Sequence, residues 1–164
     1  MKKILIPAIS ALLVLISCNK EDTIQRIRFN GLTVTDIFGY PIYTDTTDWR
    51  LTDEWNETEQ SLFVGSSAFL CENVDDQYFI IAYPNPCINV LLFHIEKPAG
   101  SLFSFCMVDR YFNVITERDS MQNSIFAIDR TYIEVPDDTV RIYYKFTMPG
   151  CELRGHGDVL FKDQ

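Results

Sequence analysis

The chain has 164 residues, 47% of them hydrophobic and 13% aromatic, with a formal net charge of −9. That content excludes a disordered chain, and the length suffices for one domain with a real core. No basic stripe interrupts the acidic balance, which argues against nucleic acid or anionic lipid as a partner.

Lys2 and Lys3 precede an almost wholly apolar span, residues 4–16, broken only by Pro7 and Ser10. The span is shorter than the ~20 residues a membrane-crossing helix needs, and its flanks are those of a signal-peptide h-region. It ends in Leu15-Ile16-Ser17-Cys18, which resembles a bacterial lipobox. The resemblance implies cleavage before Cys18 and acylation of its thiol, whereas an ordinary secretory signal would leave Cys18 incidental. Two attached lipids meet the requirement for stable anchoring, so a tethered protein of the outer membrane is expected rather than a spanning one. Lys20-Glu21-Asp22 resembles the surface-export signal of Bacteroidetes lipoproteins and implies display at the cell surface. A periplasm-facing protein with a merely solvated tether is the other reading.

Residues 26–43 read as extended, with Ile27, Phe29, Leu32, Val34 and Ile37 separated by polar residues and by Gly31 and Gly39. Within residues 44–63 a helix is expected, capped by Thr52 or Asp53, with Asp53, Glu54 and Glu57 in its first turns and Trp55, Leu62 and Phe63 on one face. From residue 78 the pattern changes to short strands, at 78–83, 88–95, 102–109, 113–117, 124–128, 132–135, 139–147 and 158–161, with Pro- and Gly-containing breaks between them. In the clearest of them, Val140, Ile142, Tyr144 and Phe146 alternate toward a core, and Arg141, Tyr143 and Lys145 toward water.

This spacing predicts a mainly β protein: an immunoglobulin-like antiparallel β-sandwich with a short N-terminal helix-containing segment. The expected organisation is a cleaved signal peptide at 1–17, a tether at 18–25, an extension at 26–77 with one short helix packing on the sandwich, and the β-sandwich at 78–164.

Tyr83-Pro84-Asn85-Pro86 anchors a second resemblance, which covers roughly residues 78–162. This half of the chain resembles the C-terminal sorting domain of proteins exported by type IX secretion in Bacteroidetes, itself a compact immunoglobulin-like sandwich. The resemblance implies core positions for Leu91, Phe93, Phe105 and Met107 and a hairpin turn beginning at Asp109. The opposite face of the same strands is also apolar, through Val90, Leu92, Cys106 and Val108. A face meant for water does not read so. The expected cover is the preceding segment with Trp49, Trp55, Leu62 and Phe63; the alternative is an open patch that docks a partner.

Few residues point to chemistry. His94 lies in an apolar strand and reads as a packed side chain. His156 and Asp158, in Gly155-His156-Gly157-Asp158, suit either a ligand or acid/base turn, or, as the simpler reading, a turn whose glycines serve the backbone before the last strand. Cys71, Cys87, Cys106 and Cys151 permit two disulfides in three connectivities, and none stands in a redox motif. Asp36, Asp45, Asp48, Asp53 and Glu54 lack the order of a calcium loop, so no metal or other cofactor is expected. Thr46, Ser120 and Thr139 stand in triplets resembling the Bacteroidetes O-glycosylation sequon, as does Thr23.

The expectation is a lipid-anchored lipoprotein without catalytic residues, with a structural or binding role toward a protein partner of the cell envelope. A link to the secretion apparatus follows from the resemblance. The alternative is a carbohydrate-binding accessory or small hydrolase of polysaccharide uptake, with Trp49, Trp55 or surface tyrosines stacking on sugar.

Overall fold

The structure is a computed structural model and describes residues 25–65, 69–72 and 77–163. Cys18, Lys20, Glu21, Asp22 and Thr23 lie outside the described residues.

The protein is mainly β, and every strand pairing is antiparallel apart from isolated bridges. A small hairpin comes first, β1 (Val34–Thr35) and β2 (Pro41–Tyr43). A five-residue helix follows, α1 (Glu57–Ser61). Then come β3 (Phe79–Tyr83), β4 (Val90–Glu96), β5 (Leu102–Val108), β6 (Val114–Met121), β7 (Ile125–Asp129), β8 (Thr139–Met148) and β9 (Cys151–Leu160). One sheet has the order β3-β4-β7 and the other β6-β5-β8-β9.

Residues of both sheets meet in one core. Leu91 and Phe93 come from the first sheet, Phe105, Met107, Val140, Ile142, Tyr144 and Phe146 from the second, and all are fully buried. Phe93, Phe105 and Phe126 stack at its centre, with ring centroids 4.4–5.5 Å apart.

The outer face of the larger sheet carries a second cluster. Ile27, Trp55, Cys106, Val108 and Tyr143 are buried there, with Phe29, Leu62, Phe63 and Phe112 packed against them. Tyr143 and Lys145 are therefore buried rather than directed to water, because the N-terminal segment covers them. The cover does not extend to the smaller sheet, where Val90 is exposed and Leu92 half-buried.

Three local readings are corrected. The helix starts later than Thr52 or Asp53: Asn56 caps it, accepting from the N–H groups of Thr58 and Glu59, while Glu59 accepts from Asn56 N–H. Residues 132–135 form no strand, since Asp129 accepts the N–H of Thr131 and starts a 3₁₀ turn over Arg130–Tyr132. The segment Gly155-His156-Gly157 is no turn but the middle of β9. A Cβ at Gly155 would collide with the Arg50 carbonyl oxygen and the Tyr144 ring, and one at Gly157 with the Trp49 ring. The glycines let the 49–53 segment close on the edge of β9, where Trp49 N–H donates to His156 O (2.8 Å) and Asp53 N–H to Arg154 O (3.0 Å).

Asn85 of the tetrapeptide ties three segments together. Its side-chain amide donates to the carbonyls of Thr33 (2.8 Å) and Asp158 (2.9 Å) and accepts from Leu160 N–H (3.0 Å). Being fully buried, it has every one of these bonds to satisfy.

Candidate functional site

A group of polar side chains gathers on the outer face of β8 and β9, beneath the N-terminal segment. Register sets Arg141 opposite Asp158, Tyr143 opposite His156 and Lys145 opposite Arg154. Alternation along each strand then puts these six on one face.

Arg141 and Asp158 form a two-pronged pair, Nε to Oδ1 at 2.7 Å and Nη2 to Oδ2 at 2.8 Å. Burial works against the guanidinium charge, but the Asp158 carboxylate outweighs it and raises the Arg141 pKa. His156 Nδ1 meets the buried carboxylate of Asp53, which also pairs with Arg50 at 3.2 Å. Tyr143 donates its hydroxyl to Glu59 of α1 at 2.8 Å; burial, then the Glu59 charge, push its pKa up. Farther along, buried Glu152 pairs with Arg154 and with Lys145, whose heads lie over the rings of Trp55 (5.4 Å) and Phe63 (5.3 Å) respectively.

His156 stands between two small polar cavities. One, of about 260 Å³, is lined by Arg28, Asn30, Thr47, Asp48, Arg141 and Asp158; the other, of about 210 Å³, by Arg50, Thr52, Glu54 and Glu59. An acid-oriented histidine beside a cavity is half of a nucleophilic site. The other half is lacking among the described residues: no hydroxyl or thiol is hydrogen-bonded to the ring, and Thr47 Oγ1 turns to Asp45. Asp158 is fully engaged by Arg141. His156 thus docks Asp53 of the N-terminal segment, while the Asp158 carboxylate pairs across strands with Arg141.

Asp36, Asp45, Asp48 and Asp53 do not converge on one point. Asp36 orders the β1–β2 turn, Asp45 bonds Thr47, and Asp48 bonds Thr33 and Asp158 backbone N–H groups. No group of three or more potential metal-ligating His, Cys, Asp or Glu side chains occurs among the described residues. His94 is half-buried, 3.7 Å from Glu96, with its ring edge-on to Phe79.

Cys71 and Cys151 form a disulfide, while Cys87 and Cys106 are free and buried. Burial pushes the Cys87 thiol up to about 11 and the Cys106 thiol up to about 12, so neither is a ready nucleophile. Trp49 stacks on Tyr144 at 5.8 Å and Trp55 on Phe63 at 4.9 Å. Both rings are thus engaged in packing, Trp49 being half-buried and Trp55 buried. Thr46 and Ser120 are exposed and Thr139 half-buried.

Asp53, Glu59 and Arg141 hold roles that their local sequence does not announce. The one available signal was the excess of acids in residues 44–63, which supplies partners to a basic strand face. No known protein family, curated protein or solved structure matches the chain.

Proposed function

We propose that this chain is a lipid-anchored binding lipoprotein of the cell envelope, tethered through Cys18 and acting without catalysis. One observation carries the reading: the side chains suited to acid/base work are spent on docking residues 27–59, while an apolar sheet face stands uncovered. On that face Phe79, Val90 and Ile125 are exposed, with Ile81, Leu92 and Ala127 between them, and His94, Glu96 and Asp129 add a polar margin. Such a face suits a protein partner better than a sugar. No helix among the described residues is long and apolar enough to cross a membrane.

The finer fold reading, an immunoglobulin-like sandwich, is supported by strand order. Of the seven strands from β3 on, the second pairs the fifth and the third pairs the sixth, across two sheets that share a core. The resemblance to sorting domains makes a component of the secretion apparatus the partner class to look for.

A photocrosslinker at Ile125, in cells, tests the reading. A specific adduct with an envelope protein, lost on Leu92→Asp, is the expected result. Polysaccharide hydrolysis by the purified chain, abolished by His156→Gln, would overturn it in favour of an enzyme.

A further inference from the structure

The two sheets leave a mouth along one side, between the edge of β6 and the edge of β7. Thr116 and Arg118 of β6, with Phe126, Ile128 and Tyr132 on and just after β7, line a cavity of about 420 Å³ there. Phe105, 1% exposed, lies at its floor. Phe126 stacks on Phe93 at 4.4 Å and on Phe105 at 5.1 Å, yet stays only half-buried, because it also lines this mouth.

The β7 backbone is unpaired on the side away from β4. Ile95 N–H donates to Ser124 O and Arg130 N–H to Asn89 O, both at 2.8 Å, in unbroken antiparallel register. Bonding residues alternate along such a pair, so Phe126 and Ile128 bond to β4 while Ile125 and Ala127 direct N–H and C=O outward. Neither outward residue has a backbone partner on that side among the described residues.

Sheet edges are ordinarily blunted by charge, proline, a bulge or a covering segment. The edge of β9 is covered, since Trp49, Asp53 and Cys71 donate to its carbonyls. Register shifts break β6, which also carries Glu117, Arg118 and Asp119 in succession. None of these devices occurs in β7 over Ile125-Phe126-Ala127-Ile128. An edge so written accepts an added strand.

Charge narrows what that strand carries. Register sets Arg118 opposite Phe105, on the inner side of β6 and so over the mouth. Its guanidinium is exposed, donates to the neighbouring Glu117 carbonyl at 2.8 Å and forms no ion pair among the described residues.

We propose that an extended segment of a protein partner adds as a strand to β7, bonding Ile125 and Ala127. Its side chains opposite Phe126 and Ile128 turn into the mouth. The first is a glutamate that reaches Arg118 across the Phe126 ring, and the second is a large apolar residue resting on Ile128 and Tyr132. The inference rests on the binding role proposed above for the existence of a partner, and adds how that partner is held.

The test uses the full lipoprotein, purified in detergent, and a fluorescein-labelled threonine peptide with a central glutamate and a leucine two residues to each side. Either strand direction then places one leucine in the mouth. Ala127→Pro removes an outward N–H and leaves the bonds to β4 intact, while Arg118→Glu reverses the charge at the rim. Fluorescence anisotropy is expected to show binding to the parent, weakened about tenfold or more by each variant. A lysine in place of the peptide's glutamate is expected to restore binding to Arg118→Glu. No binding to the parent, or equal binding to all three proteins, overturns strand addition. If Ala127→Pro melts below the assay temperature, the charge-swapped pair decides: rescue supports the inference and its absence overturns it. Binding lost on Leu92→Asp but kept on Ala127→Pro puts the peptide on the sheet face and overturns it too. A parent that binds no peptide and sediments as a dimer, with Ala127→Pro a monomer, makes a second copy the occupant and overturns a partner strand. An Ile125 adduct retained in cells beside any of these failures leaves the binding role standing; loss of the adduct beside intact peptide binding removes that role and keeps the edge site.

Discussion

The carboxylate of Asp48 accepts the backbone N–H of Asp158 at 2.8 Å, so an acid of the N-terminal segment is held against an acid of the last strand. Its other oxygen accepts Thr33 N–H at 2.8 Å. Burial is the largest influence on Asp48 and pushes its pKa from the ordinary 3.8 up to about 6, despite both bonds. The folded chain therefore holds this proton across a window where the unfolded chain has lost it. The stabilisation is present below about pH 4 and is lost as pH rises through about 6. Two units correspond to a change on the order of 3 kcal/mol. Urea melts of the parent and of Asp48→Asn across this range are expected to give a stability difference that falls, parent relative to variant, as pH rises. A flat or rising difference would show that Asp48 is ionised at no cost.

Trp55 tests how much the N-terminal segment contributes to the fold. Its ring is 5% exposed, stacks on Phe63, meets Tyr143 edge-on and carries the Arg154 head. Truncating a buried aromatic costs about 3–5 kcal/mol. Trp55→Ala is expected to lower the melting temperature by many degrees in one cooperative transition. Two separate transitions, or none displaced, would mean that the segment and the sheets melt independently.

Much of the sheet core was legible because alternation is local. Val140, Ile142, Tyr144 and Phe146 point inward from a pattern written in consecutive residues. The other face of β8 was not legible, since Arg141, Tyr143 and Lys145 read as water-facing by their polar heads. Each head has a partner, Asp158, Glu59 or Glu152, and these pairings depend on strand register and on chain far away in sequence. The same cause hid the candidate site. His156 looked like part of a turn because glycine flanks it on both sides, and only the approach of Arg50 and Trp49, more than a hundred residues earlier, makes those glycines strand residues.

That approach is itself testable at Gly155. An added methyl meets backbone at Arg50, which cannot swing aside as a side chain could. Tyr144, whose hydroxyl donates to Arg50 O at 2.6 Å, is displaced as well. Overpacking of this kind costs about 1–3 kcal/mol, and the lost edge pairing adds to it. Gly155→Ala is expected to lower the urea midpoint clearly, and by more than Gly150→Ala, which meets no atom within 4 Å and carries only the strain of φ +91°. Equal effects at the two positions would refute a special role for the close approach.

The cysteines divide by location, and their reactivity is expected to follow. Cys71 and Cys151 close a loop of sequence separation 80, which in the chain-entropy account stabilises by on the order of 4 kcal/mol. Cys87 lies in the shared core and Cys106 beneath the N-terminal cover, both fully buried with raised pKa values. Maleimide labelling read peptide by peptide is expected to leave Cys87 and Cys106 unmodified in the native protein and to modify both in urea. Cys71 and Cys151 are expected to react only after reductant, and Cys151→Ala to melt at lower temperature than the oxidised parent. Labelling of Cys106 alone under native conditions would show that the cover over β5 opens without global unfolding, placing the N-terminal segment at the weak end of the fold's stability.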